Sequence, residues 1–268
     1  MAKERIDRLL VARGLVETRQ KAQALIMAGA VLADNQKVTK PGASVAADAE
    51  IRLLDAGCPF VSRGGIKLAH ALDAFGVAPA GRTCLDLGCS TGGFTDCLLQ
   101  RGAARVHGVD VGRGLLHARL RADPRVTLTE RCNARNIRPE DFPGAAFDLV
   151  VIDLSFISLR LVLPAVAGRL RAGGGAADVV ALVKPQFEAG RGEVGKGGIV
   201  RDAAVRRRAV DEVARAAAAA GFTVAGETES PITGADGNVE YFLHLRLGAA
   251  APAGGAGDAP PQPGGRTS

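Results

Sequence analysis

Residues 84–99 read CLDLGCSTGGFTDCLL, and this stretch decides the fold of the chain. A short apolar run is followed by a loop of small residues and a second apolar run, which predicts a buried strand, a tight turn and a helix. This is the typical first unit of a nucleotide-binding α/β sheet. The loop has the pattern Gly-x-Ser-x-x-Gly over residues 88–93 and lacks the second glycine that lets a dinucleotide pyrophosphate approach. A ligand without phosphates therefore fits this loop better.

S-adenosylmethionine is a ligand of that kind. Its methionine end needs small residues and free backbone N–H groups, and its ribose hydroxyls need an acidic partner. The segment from Arg105 to Asp110 predicts a second strand that ends in such a residue, about 20 residues after the loop. Asp110 is therefore the predicted ribose-binding residue, and Asp86 also favours a methyl-donor site. The alternative is that a glycine-rich turn after an apolar run is only a turn.

The composition is that of a globular protein with a mild basic excess. Lys and Arg total 34 against 28 Asp and Glu, and the net charge of +6 favours a polyanionic partner. No apolar stretch approaches the ~18 residues of a membrane span, and the first residues lack the apolar core of a signal peptide. The sequence therefore predicts a cytoplasmic protein with no membrane partner. The five cysteines include no Cys-x-x-Cys, which indicates neither a disulfide framework nor a metal site.

Residues 3–55 are predicted to form a small α+β domain. Apolar spacing predicts a helix that ends at Gly14 and a second helix that Thr18 caps, followed by short strands. Arg19 and Lys21 lie in the first turn of the second helix, where the helix dipole favours anions. A phosphate bound at this turn would explain the two cations. The alternative is a solvated basic face.

The rest of the chain divides into a linker, a larger domain and a tail. Residues 56–63 are predicted as the linker, residues 64–248 as the second domain, and residues 249–268, rich in Ala, Gly and Pro, as a disordered tail. After the second strand, further strands are predicted at 126–129, 147–152, 179–183, 222–225 and 239–247, with helices between them. The predicted fold class is α/β: a doubly wound, mainly parallel, seven-stranded Rossmann-like sheet, preceded by the small α+β domain.

Three charged residues stand beside strongly apolar runs, namely Asp153, Lys184 and Glu240. Such positions desolvate a charge, although a salt-bridged strand end is the alternative to a functional role. Lys67 lies off the apolar face of the helix predicted to open the second domain. Two lysines and two carboxylates around one cleft beyond the strand ends suit deprotonation of a poor acid. A ribose 2′-hydroxyl needs both a base and positive charge as it attacks a methyl group.

The segment after Asp153 discriminates between methylation reactions. It reads DLSF over residues 153–156, whereas enzymes that methylate an exocyclic base nitrogen resemble one another in an Asn/Asp-Pro-Pro-aromatic run. Carbon methylation needs a nucleophilic cysteine, and Cys132 precedes the fourth strand by too many residues. Oxygen methylation is therefore the predicted reaction.

The first domain resembles a known RNA-binding module. The order of residues over 3–54, including GLVETR at 14–19, resembles the small domain named after ribosomal small-subunit protein four. That resemblance implies binding of folded RNA by phosphate contacts and shape rather than by base edges. The residues that it assigns to RNA are Arg5, Arg8, Arg19 and Lys21.

Residues 3–247 resemble the TlyA family of ribosomal RNA 2′-O-methyltransferases, once called haemolysin-like. The shared runs are long, among them VSRGGIKL at 61–68, LVKPQFE at 182–188 and GNVEYF at 237–242. The resemblance implies methyl transfer from S-adenosylmethionine to a cytidine 2′-hydroxyl of rRNA in ribosomal subunits. It implies a catalytic tetrad of Lys67, Asp153, Lys184 and Glu240, with Lys184 as the base. The predicted cofactor-binding residues are Asp86, Gly88, Ser90, Thr91, Gly92, Gly93, Phe94, Asp110, Asn133 and Asp153.

Other functions stay open at this point. A membrane-active haemolysin needs an apolar span or a strongly amphipathic face, and the sequence has neither. A non-catalytic RNA-binding assembly factor would keep the fold, but the presence of all four tetrad residues argues against it. The sequence does not distinguish the two ribosomal subunits or exclude another RNA, and it leaves the oligomeric state open.

Overall fold

The computed structural model describes most of the chain. The described residues are 3–16, 18–27, 29–34, 36–53, 58–172, 177–190, 192–234 and 236–247. The predicted linker is therefore described only from Cys58 onward, and the predicted tail at 249–268 lies outside the described residues.

The N-terminal unit packs two helices against short strands. Its elements are β1 Lys3–Arg5, α1 Ile6–Ala12, α2 Arg19–Met27, β2 Val31–Ala33, β3 Gln36–Val38, β4 Ser44–Ala46 and β5 Ile51–Leu53. β1 pairs with β4, and β2 lies between β3 and β5. Ile6, Leu10 and Ile26 are fully buried in its core, as the apolar spacing predicts. The Thr18 hydroxyl accepts a hydrogen bond from the Lys21 backbone N–H at 3.2 Å, which confirms the predicted cap.

The larger unit is a seven-stranded sheet with helices on both faces. Its elements are α3 Gly64–Phe75, β6 Thr83–Leu87, α4 Gly93–Gln100, β7 Arg105–Asp110, α5 Ala118–Arg121, β8 Val126–Glu130, β9 Leu149–Ile152, α6 Leu159–Ala172, β10 Ala177–Val183, α7 Pro185–Glu188, α8 Ala203–Ala219, β11 Thr223–Glu229 and β12 Tyr241–Leu247. The strand order is β11-β12-β10-β9-β6-β7-β8. Within the run β10-β9-β6-β7-β8 all neighbouring strands are parallel, and β12 is antiparallel to both β10 and β11. The predicted doubly wound, mainly parallel fold is confirmed.

Alternate side chains of the central strands pack into two separate hydrophobic cores, one on each face of the sheet. Leu85 and Leu87 of β6 pack with α6 and α8 on one face of the sheet. Cys84, from the same strand, packs with α3 and α4 on the other face. This follows from the two-residue period of a strand, because both faces of a parallel sheet are covered by helices. The central strands are therefore apolar at nearly every position.

The direction of β12 decides where the site is assembled. The parallel strands β6, β7, β9 and β10 all end at one edge of the sheet. Because β12 is antiparallel, its first residue, Tyr241, pairs with the last residue of β10, Val183. Residues that precede β12 therefore lie at the same edge as residues that follow β9 and β10.

Candidate active site

A cavity of about 800 Å³ opens at this edge of the sheet, a volume within the usual range for small-molecule sites. The loop after β6 and the ends of β9 and β10 contribute most of its predicted residues. The predicted residues on its wall are Lys67, Gly88, Ser90, Thr91, Gly93, Phe94, Asp153, Lys184 and Glu240. All four residues of the predicted tetrad therefore share one cavity with the predicted cofactor loop.

The tetrad forms two lysine–carboxylate pairs. Lys67 Nζ lies 2.5 Å from Glu240 Oε2, and Lys184 Nζ lies 2.6 Å from Asp153 Oδ1. Lys184 also donates to the Ser155 hydroxyl at 3.0 Å. The side chains of Lys67 and Lys184 are only 11% and 12% exposed, so both cations sit in a largely desolvated wall. Paired geometry of this kind keeps buried charges compatible with the fold.

Lys67 is buried, which the sequence did not predict. It lies on the cavity wall, away from the hydrophobic cluster that Leu68 and Leu72 join, yet it is only 9% exposed. The buried acceptor that makes this possible comes from Glu240, 173 residues along the chain. Gly234 leaves room for that carboxylate, since a Cβ on Gly234 would lie 2.6 Å from Glu240 Oε1. Periodicity reports only whether a residue is apolar, so it misses a charge that a distant partner stabilises.

The loop after β6 requires glycine at two positions. Gly88 and Gly92 have φ angles of +87° and +99°, in the region that L side chains rarely adopt. A Cβ on Gly88 would lie 2.2 Å from the backbone oxygen of Asp153, and one on Gly92 would meet Leu120 at 2.3 Å. The loop is thereby packed directly against the end of β9 and against α5. Gly92 supports the loop from behind and is absent from the cavity wall.

Asp110 and Asn133 lie beside the loop but not on the cavity wall. Asp110 Oδ2 accepts from Ser90 N at 2.8 Å, and its Oδ1 accepts from Gly112 N at 2.7 Å. The Cys132 backbone N–H donates to the Asp110 carbonyl oxygen, which places the neighbouring Asn133 at the same corner. Asp110 therefore holds the loop in place and still has free lone pairs for a ribose hydroxyl.

We expect the Asp110→Ala variant to raise the Kd for S-adenosylmethionine roughly ten- to a hundredfold, because charged hydrogen bonds to the ribose are lost. Titration calorimetry measures this directly. Asp211→Ala, which removes a carboxylate from α8, is the matched control and leaves the Kd unchanged. An unaltered Kd in Asp110→Ala would mean that the ribose is held elsewhere.

Asp86 is fully buried and lies under the loop rather than on the cavity wall. Its Oδ2 accepts from the Thr95 hydroxyl at 2.6 Å, while its Oδ1 has no hydrogen-bond partner among the described residues. Burial raises the pKa of Asp86 to about 7, and the nearby carboxylates of Asp153 and Asp110 contribute to the increase. Asp153 is paired with Lys184, but Asp86 and Asp110 have no salt bridge among the described residues. The ammonium and sulfonium groups of S-adenosylmethionine fit this environment.

The raised pKa of Asp86 predicts a pH dependence of cofactor binding. Below pH 7 the carboxyl is mostly protonated, and a cationic ligand favours the ionised form, so affinity increases as pH rises. We expect the Kd to fall about tenfold between about pH 5.5 and pH 7, below the range in which an α-amino group titrates. In Asp86→Asn we expect weaker binding that does not vary over this range. A wild-type Kd that is flat with pH would contradict the prediction.

Asp96 joins the described part of the linker to the cofactor loop. It lies in the first turn of α4 and is 3% exposed. Its Oδ2 accepts from Val61 N at 2.8 Å and from Arg119 Nη2 at 2.9 Å. A Cβ on Gly93 would lie 2.3 Å from the Ser62 hydroxyl, so linker and loop are in tight contact. Sequence reasoning missed this residue because both partners are distant in the chain.

Two further features were not predicted, one behind the cavity wall and one on it. Glu188, 4% exposed, accepts from the Ser158 hydroxyl at 2.5 Å and from Leu159 N at 2.7 Å. It therefore holds the segment after Asp153 against α7. Phe156, in that segment, is 92% exposed with a φ of +65°, and its ring centroid lies 5.2 Å from that of Phe187. The only sequence signal was their position inside the shared DLSF and KPQFE runs.

The residues predicted to bind RNA are exposed on the N-terminal unit. Arg5 and Arg19 both contact Asp7, at 3.0 and 2.9 Å. These contacts, with the Arg5 guanidinium first, hold the pKa of the buried Asp7 carboxyl well below its usual range. Arg8 is exposed without a salt bridge among the described residues, and Lys21 lines the cavity. Asp7 fixes two of the four cations and was not predicted as a site residue.

Both units of the chain match known protein families. Residues 60–247 match the FtsJ-like methyltransferase family, and residues 4–51 match the S4 domain. A relative from Mycobacterium tuberculosis, named 16S/23S rRNA (cytidine-2′-O)-methyltransferase TlyA, is 51% identical over 90% of this chain and 89% of its own length. The chain belongs to the TlyA family. Family membership confirms the predicted resemblance, the methyltransferase fold and S-adenosylmethionine as the cofactor.

Other TlyA relatives carry an older name. Hemolysin A of Brachyspira hyodysenteriae is 40% identical over 90% of this chain and 99% of its own length. A solved structure from Streptococcus thermophilus that bears the name hemolysin is 43% identical, with a TM-score of 0.72, and covers 92% of this chain and 90% of that one. Among the residues that the structure describes, no helix has the length and apolar character needed to cross a membrane. The described residues also contain no cluster of metal-ligating side chains.

Proposed function

We propose that this enzyme transfers a methyl group from S-adenosylmethionine to the 2′-hydroxyl of a cytidine in ribosomal RNA, within ribosomal subunits in the cytoplasm. The observation that carries the proposal is the pair of lysine–carboxylate contacts, Lys67–Glu240 and Lys184–Asp153, in the wall of the cavity beside the cofactor loop. The name of the Mycobacterium tuberculosis relative supports the choice of cytidine and of rRNA.

The chemistry requires a proton to leave a weakly acidic hydroxyl. Bound S-adenosylmethionine would supply the electrophilic methyl group, and S-adenosylhomocysteine would be the leaving group. Lys184 would first lose a proton to solvent and would then, in its neutral form, accept the 2′-hydroxyl proton on Nζ. Asp153, 2.6 Å away, stabilises the ammonium that results, and Ser155 fixes its direction. Lys67, held by Glu240, places a second positive charge where the alkoxide develops.

The RNA side of the cavity is formed by both units. Lys21, Ala24 and Leu25 of α2 line the same cavity as the tetrad. A nucleotide must leave its stack to place its 2′-hydroxyl there, at a cost of a few kcal/mol. The exposed ring of Phe156 at the rim offers the displaced base a stacking surface worth about 1–3 kcal/mol. The N-terminal cations bind the surrounding phosphates.

The test is transfer of labelled methyl from S-adenosylmethionine to isolated small and large ribosomal subunits from a strain lacking the modification, followed by mapping of the labelled ribose. We expect label on a cytidine 2′-hydroxyl of one or both subunits and little on free rRNA. Label on free rRNA alone would remove the subunit requirement. No label with intact cofactor binding would favour a non-catalytic assembly factor or another RNA substrate.

A further inference from the structure

The positive charge of the chain is concentrated in two segments. Residues 111–138 contain seven arginines and two acidic residues, a net charge of +5. Residues 3–53 contain nine basic and six acidic residues, a net charge of +3. The remainder carries −2, against +6 for the whole chain. The larger excess therefore lies in the methyltransferase domain, where neither the cofactor loop nor the tetrad uses it.

Four arginines of this segment face solvent without a salt bridge among the described residues: Arg113, Arg131, Arg135 and Arg138. The other three are paired with acids, Arg119 with Asp96, Arg121 with Glu130 and Arg125 with Asp123. Glu130, one of the two acids of the segment, is already engaged. The guanidinium of Arg121, together with the Gly114 backbone N–H, lowers the pKa of the Glu130 carboxyl. Arg113 also lowers the pKa of Glu130 by its charge, and the Asp141 carboxylate accepts from Arg138 N, but none of the four guanidinium groups forms a salt bridge among the described residues.

The backbone brings these arginines to one corner of the molecule. Arg131 N donates to the Gly112 carbonyl oxygen at 3.3 Å, which joins the loop after β7 to the loop after β8. Arg131 itself has a φ of +58°, an uncommon conformation for a side chain of this size. The short turn Ala134–Asn136 then carries Arg135, and Arg138 follows it. All four arginines follow the carboxyl ends of β7 and β8, at the edge of the sheet that holds the cavity.

We infer that Arg113, Arg131, Arg135 and Arg138, here called the arginine edge, form a second phosphate-binding surface for the RNA substrate. This inference rests on the proposed function. β8 lies three strand positions from β9, whose end carries Asp153, so the end of β8 is about 14 Å from the end of β9 at ~4.8 Å per strand. That distance is short enough for one RNA strand to span. The arginine edge therefore binds the backbone flanking the target nucleotide, on the far side of the cofactor from Lys184.

The test compares two double variants that each remove two positive charges. Arg113→Gln with Arg138→Gln takes one arginine from each loop of the arginine edge. Arg105→Gln with Arg215→Gln is the matched control, since both residues are exposed without a salt bridge in the described chain and Arg105 begins β7 at the opposite edge. Affinity for unmodified ribosomal subunits is measured as a function of salt. Cofactor Kd and thermal unfolding of each variant report on folding and on the cofactor site.

We expect the arginine-edge variant to bind subunits roughly tenfold more weakly at low salt. Its slope of log affinity against log salt should fall by about 1.5, because two phosphate contacts are lost. Cofactor Kd should match wild type, as should all properties of the control. An arginine-edge variant with wild-type subunit affinity and slope would overturn the inference and leave the proposed function intact. A raised cofactor Kd would instead assign these arginines to the cofactor. Wild-type enzyme that fails to bind subunits would contradict the proposed function itself.

Discussion

Methyl transfer by the Lys184→Ala variant is expected to be at least 10²–10⁴-fold slower than wild type, the range that a general base contributes. S-adenosylmethionine should still bind, because the contacts of Lys184 are to Asp153 and Ser155 rather than to the loop after β6. Single-turnover transfer of labelled methyl to ribosomal subunits measures the chemical step, and calorimetry measures the cofactor Kd. An equal loss of cofactor binding would make Lys184 a binding residue instead.

The Lys184→Arg variant separates proton transfer from charge. Arginine keeps a cation beside Asp153 but stays protonated at any working pH, so it cannot accept the hydroxyl proton. We expect Lys184→Arg to be nearly as slow as Lys184→Ala. Near-wild-type activity in Lys184→Arg would show that this position provides electrostatic stabilisation, and the base would then have to be sought elsewhere. Lys196→Arg, on the segment before α8, is the matched control and should leave the rate unchanged.

Breaking the Lys67–Glu240 pair is expected to affect both stability and activity. Glu240→Ala leaves the Lys67 ammonium, 11% exposed, without its acceptor. Removing one partner of a buried ion pair costs about 3–5 kcal/mol in the free energy of unfolding. The displaced ammonium would also no longer be fixed near the reacting oxygen. Chemical denaturation measures the first effect, and single-turnover methyl transfer measures the second.

A double variant distinguishes a catalytic pair from a structural one. In Lys67→Met with Glu240→Leu, no charge is left unpaired, and replacing a buried ion pair by apolar residues of similar volume is often neutral for stability. We expect stability near wild type but no recovery of methyl transfer, since the cation that stabilises the alkoxide is absent. If the double variant regained wild-type activity, the pair would have only a structural role.

The local sequence was sufficient to predict most strands of the large sheet. The predicted strand from Arg105 to Asp110 has the observed limits, and Asp202 accepts from Ala204 N at 2.8 Å to cap α8. The strand predicted at 222–225 is longer in the structure, Thr223–Glu229. It is an edge strand with one neighbour, and its exposed polar residues hide the apolar alternation on which the prediction depends. Apolar patterning identifies the central strands better than this edge strand, because the central strands are buried at nearly every residue.

The sequence by itself determined which residues stand at strand ends, because a charge after an apolar run is visible without any partner. Asp153 and Lys184 were found in this way, the glycine loop was found from its small residues between two apolar runs, and longer shared runs indicated the family. The tertiary structure decided which of these charges meet. In the folded sheet β12 runs antiparallel to β10. Glu240, which precedes β12, therefore lies at the edge where Lys67 of α3 is buried. That contact spans 173 residues, and strand direction depends on packing of the whole sheet rather than on any local pattern.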